Sequence, residues 1–126
     1  MHYLTLKTIA TSVKKPAQDG SDAGFLEIAY REQILGMVRG PSGDHFDIPE
    51  MRMAMRVIDV IEAAEDGDTV GLEDADWEYL RDRVTHGKYV IADKAILSFV
   101  ADIEGAPTTS LELVVNHDDE RQEGQG

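Results

Sequence analysis

The chain has 126 residues, no cysteine, and 25 carboxylates against 12 lysines and arginines, giving a formal charge of −13. That length fits one domain with a single modest core. The composition excludes disulfides, thiolate metal sites and cysteine nucleophiles, and the charge opposes direct contact with nucleic acid or anionic lipid.

The charge is uneven. Residues 1–58 hold seven acids and seven bases, whereas residues 59–126 hold eighteen acids and five bases. The opening MHYLTLKTIATSVKKP lacks the pattern of a signal peptide, and no apolar run reaches membrane-spanning length. The expectation is a cytoplasmic protein with no membrane partner.

HYLTLKTIATSV begins with alternation, Leu4 and Leu6 against Thr5 and Lys7, and predicts a strand with one buried face. KKPAQDGSDAG, with Pro, two Gly and two Asp, reads as a flexible loop. In GFLEIAYREQILGMVRGP, Phe25, Ile28, Ala29 and Leu35 recur at helical spacing and Gly40-Pro41 supplies a stop. This predicts a first helix, from which Tyr30 and Met37 are candidates to face a partner.

FDIPEMRMAMRVIDVIEAAEDG predicts the central helix. Asp47 as N-cap with Glu50 three residues on forms an acidic capping box, and Phe46 and Met51 have the spacing of a hydrophobic staple. Met51, Ala54, Met55, Ile58 and Ile61 build the predicted buried stripe, widened by Val57 and Val60. Met53 is then the methionine that points elsewhere, a candidate partner contact beside a core role for the other two.

DTVGLE reads as a short extended piece before a third helix from about Asp74 to His86. Leu72 can staple against Trp77, the stripe is Trp77, Leu80 and Val84, and Gly87 is the C-cap. YVI is again extended, Asp93 caps a fourth helix with Ile96, Phe99, Val100 and Ile103 as its stripe, and Gly105 and Pro107 end it. SLELVVN reads as a last strand able to pair with the first, and HDDERQEGQG as a disordered acidic tail.

The predicted fold is therefore α+β, predominantly helical, with about four helices and short terminal strands able to pair. Residues 1–116 form the single globular domain and 117–126 the tail. Ile28, Leu35, Met55, Ile58, Ile61, Trp77, Leu80, Val84, Ile96, Phe99, Val100 and Ile103 are expected in the core.

EDGDTVGLEDADWEYL, residues 65–80, packs seven carboxylates into sixteen positions with no base. A calcium loop starting at Asp66 fails at its fifth position, Val70, and at its twelfth, Trp77, where a bidentate Glu belongs. Carboxylates in the first turn of a helix suit the dipole, so Asp74 and Asp76 have a structural reason to be there. The four histidines are isolated, no phosphate-binding loop is present, and no serine sits in a nucleophile-elbow frame. No catalytic residue, cofactor or metal is predicted, and the chain reads as a non-enzyme.

Two functions remain. The pieces FLEIAYREQILGMVRG, IPEMRMAMRVIDVIEAAEDGDTVGLEDADWEYLRDRV and YVIADKAILSFVADI, about residues 25–104, together resemble small accessory proteins encoded in the morphogenesis regions of tailed bacteriophages and prophages. The resemblance implies an assembly factor or tail-assembly chaperone in the host cytoplasm, working by protein–protein contact with a virion structural subunit. The alternative is an acidic mimic that occupies the nucleic-acid site of a basic protein, with Glu65, Asp66, Asp68, Glu73, Asp74 and Asp76 as the contact surface.

Overall fold

The computed structural model describes residues 1–15 and 24–108. The predicted last strand and acidic tail, and most of the predicted flexible loop, lie outside the described residues. Within them the chain runs β1 (His2–Thr5), β2 (Thr8–Lys14), β3 (Phe25–Ala29), α1 (Tyr30–Val38), α2 (Ile48–Glu62), β4 (Thr69–Leu72), α3 (Asp74–His86) and α4 (Lys94–Glu104). This is an α+β fold with four helices and two short antiparallel strand pairs.

The predicted N-terminal strand is split. β1 pairs with β4, Leu4 opposite Val70, and β2 pairs with β3, Ile9 opposite Ile28. The sequence between them turns sharply as Lys7 N–H donates to the Thr5 carbonyl at 3.0 Å. Leu6 then ties the strand to the turn after α2, donating to Asp68 and accepting from Gly67. Gly67 has φ +92°, a left-handed value that disfavours any residue with a Cβ.

The first predicted helix begins later than its spacing suggested. Phe25–Ala29 is strand β3, with Ile28 inward and Phe25 and Glu27 outward. Pairing with β2 decides its conformation, and that partner is distant in sequence. Helix α1 starts at Tyr30, whose N–H is held by the Lys7 carbonyl.

The predicted caps of α2 and α4 form. Asp47 accepts from Glu50 N–H at 2.8 Å, and Asp93 from Ala95 N–H at 3.0 Å. The reciprocal arm of the capping box does not: Glu50 instead accepts from Ser42 N–H and the Tyr79 hydroxyl. Helix α3 runs over the predicted range and ends at Gly87, but Gly87 is extended, not left-handed. Space explains that glycine better, since a Cβ there would lie 2.7 Å from the Arg83 carbonyl oxygen and against the Met37 methyl. YVI is not a strand, and Val90 projects into solvent.

The core gathers Leu4 and Leu6, the inward residues of α1 and α2, Leu72, Leu80, Val84, Phe99 and Ile103. Ile28, Leu35, Ile58 and Ile61 are buried as expected, while Trp77, Ile96 and Val100 are only partly buried against it. Met55 is a correction. The buried stripe of α2 is Ala54, Val57, Ile58 and Ile61, and Met51 and Met55 face solvent. The helix is rotated by roughly an eighth of a turn from its predicted phase, as 3.6 residues per turn allow for a stripe that shares Ala54, Ile58 and Ile61.

Candidate interaction surfaces

The acidic stretch divides into groups already engaged within the fold and groups left open. Asp68 accepts from Glu65 N–H at 3.0 Å, closing the turn after α2. Asp74 meets the chain's amino terminus at 2.8 Å, and His2 Nδ1 lies 3.2 Å away without the alignment of a hydrogen bond. The amino terminus first, and His2 second, hold the Asp74 carboxyl below its usual range.

Asp76 leaves the candidate surface altogether. It is 5% exposed and pairs with Arg56 Nε at 2.9 Å, joining α3 to α2. A carboxylate in that position holds two helices together and cannot substitute for a phosphate. Glu65, Asp66 and Glu73 remain exposed beside Asp68 and Asp74.

Of the three apolar candidates, Tyr30 is also corrected. It is 0% exposed, meets Phe99 edge-on with ring centroids 4.9 Å apart, and donates to Asp102 at 2.6 Å. Burial, and then the adjacent Asp102, push its phenol well above the usual tyrosine range. Lys7, 3.0 Å from the same carboxylate, completes the cluster. Met37 and Met53 are half-buried, Met37 against the core.

Trp77 is structural too. His2 stacks on it at 3.7 Å, Arg81 lies over the ring at 4.9 Å, and the indole N–H donates to the Ile103 carbonyl at 2.9 Å. With its polar edge satisfied and both contacts supplied from within, the ring is not a free binding anchor.

The face that sequence reasoning missed lies on α2. Ile48, Met51 and Met55 are 58%, 44% and 46% exposed, and with Arg52 and Arg56 they line one shallow groove of about 570 Å³. These positions follow the i, i+3, i+4, i+7, i+8 spacing of a single helical stripe. The three methionines signalled a special face, but the phase of the helix decided which two of them belong to it.

A second groove, about 890 Å³, lies between β2 and α4. Several of its polar groups are already committed: Ser12 donates to Asp93 from both its N–H and its hydroxyl, and Lys7 pairs with Asp102. Among the described residues no group of three or more histidines and carboxylates is placed to hold a metal ion, and no helix is long and apolar enough to cross a membrane. Compared with family models, curated proteins and solved structures, the chain gives no match.

Proposed function

We propose that the chain is a non-enzymatic assembly factor or chaperone of the phage or prophage type, acting in the host cytoplasm through contact with a virion structural subunit. The observation that carries this reading is the exposed row of Ile48, Met51 and Met55 on α2. Three large apolar side chains aligned along one helix contribute little to the chain's own core and suit an adaptable contact with another protein. The sequence pattern of residues 25–104 supplies the phage-type context, and the acidic surface elsewhere keeps such a complex dispersed.

The mimic reading draws on Glu65, Asp66 and Glu73, which stay open to solvent, but it loses Asp76 to an internal ion pair. A tagged pull-down from lysate containing the products of neighbouring genes separates the two. Parallel washes at about 0.1 and 0.5 M salt shorten the screening length to a few ångströms in the second. A structural subunit retained at high salt, and lost from a Met51→Glu/Met55→Glu variant, supports the assembly role. A basic nucleic-acid-binding protein that is lost at high salt and indifferent to that variant overturns it in favour of mimicry.

A further inference from the structure

The exposed face of α2 has a basic flank in a chain of charge −13. Ile48, Met51 and Met55 form its apolar row, and at 3.6 residues per turn Arg52 and Arg56 run along one side of that row, one turn apart. Arg52 is exposed and has no hydrogen bond or ion pair among the described residues. Arg56 gives its Nε to Asp76, yet its side chain stays 53% exposed.

The basic strip is short. Asp59, one turn beyond Met55, is exposed and returns the surface to negative, and Glu62 after it is held by Arg39 at 2.7 Å. The positive flank therefore covers Ile48 to Arg56, about 12 Å of helix. A partner that fits must cover three apolar side chains and supply carboxylates along one side of them. A cationic amphipathic helix, the kind that the chain's overall charge attracts, brings its own cations against Arg52 and Arg56. Nucleic acid supplies negative charge but no apolar side chains to cover the methionines.

We propose that α2 docks an acidic amphipathic helix of the partner protein, with its apolar stripe on Ile48, Met51 and Met55 and carboxylates spaced four residues apart opposite Arg52 and Arg56. The helical form follows from the face: every residue lining the groove belongs to α2, so it offers a ridge of side chains and no backbone edge for a strand. Screening at about 0.1 M salt confines repulsion from the chain's other acids to about 10 Å, which leaves the two arginines to decide the contact. The inference rests on the reading of α2 as the client surface and adds the chemistry of the client segment.

The probe is a pair of synthetic helical peptides with leucines at i, i+3, i+4 and i+7, identical except that the flanking positions are Glu in one and Gln in the other. Each is titrated into the full-length chain while methionine-methyl NMR follows Met51 and Met55 beside Met1, Met37 and Met53. The expected result is a shift confined to Met51 and Met55, with the Glu peptide binding about three- to tenfold more tightly than its Gln twin at about 0.1 M salt, as two exposed ion pairs allow. Arg52→Glu, a change that breaks no bond among the described residues, removes that preference. Equal affinity for the two peptides, tighter binding of the Gln peptide, or Met51 and Met55 signals unmoved by either overturns the proposal. So does movement of those signals with protein concentration before any peptide is added, which identifies a second copy as the occupant. The two readings fail separately: a lost preference overturns the acidic helix and leaves the pull-down result standing, whereas a selective Glu peptide with no virion subunit in the pull-down supports the acidic-helix site and removes the assembly role.

Discussion

The Arg56–Asp76 pair is asymmetric, because its acid is buried and its base is half in water. Removing the base strands a desolvated carboxylate, whereas neutralising the acid leaves a guanidinium that water can reach. Arg56→Ala is therefore expected to cost roughly 1–3 kcal/mol and Asp76→Asn less. Urea unfolding of both variants checks the order, and a costlier Asp76→Asn contradicts it.

Tyr79 gives a second prediction at this scale. Burial, and then the hydrogen bond and charge of Glu50 3.0 Å away, push its phenol up to about 12 from an ordinary 10.0. The unfolded chain releases that proton first, so the contribution of Tyr79 is fully present below about pH 10 and is lost as pH rises toward 12. Tyr30 shifts in the same direction. Denaturation midpoints should fall across this window, and Tyr79→Phe should make the fall shallower; an unchanged alkaline slope in that variant rules out the account. The sequence displayed Tyr79 and Glu50 but not their contact, since the two are 29 residues apart and meet only through packing of α2 on α3.

At the scale of elements, local chemistry was legible and rotation was not. The Asp47 and Asp93 caps follow from side chains that bond to neighbouring backbone, so a short window of sequence contains the whole cause. The phase of α2 has no such local cause. Met51–Ala54–Met55–Ile58–Ile61 and Ala54–Val57–Ile58–Ile61 both satisfy helical spacing, and the choice rests on how α1, α3 and β4 fit around the helix. β3 was misread for a related reason, as FLEIA fits a helix until β2 pairs with it. The observed phase predicts that Ile58→Ala costs about 2–5 kcal/mol by leaving a cavity. Met55→Ala should change stability by no more than about 0.5 kcal/mol. Equal costs in thermal or urea unfolding would return Met55 to the core.

For the whole molecule, the exposed acids Glu65, Asp66 and Glu73 and the apolar row Ile48, Met51 and Met55 on α2 are different sets of surface residues. Part of the acid is architectural, in the Asp47 and Asp93 caps, the Asp68 turn and the Asp76 pair. The composition revealed the quantity of charge but could not reveal which carboxylates the fold occupies. Charge reversal at Glu65, Asp66 and Glu73 is expected to leave capture of a structural subunit at high salt within about twofold of wild type, as rim charges contribute mainly to encounter rate. Loss of capture in that variant, measured in the same pull-down, would move the contact surface to the acidic stretch.

The central claim is that α2 carries the client surface, and site-specific photo-crosslinking tests it most directly. A photoreactive residue is placed at Met55 in one variant and at Glu65 in another, each is irradiated in lysate containing the native neighbours, and the adducts are identified by mass spectrometry. The account predicts an adduct between position 55 and a virion structural subunit, with none from position 65. An adduct from position 65 to a basic nucleic-acid-binding protein, with position 55 joined to no partner, contradicts it.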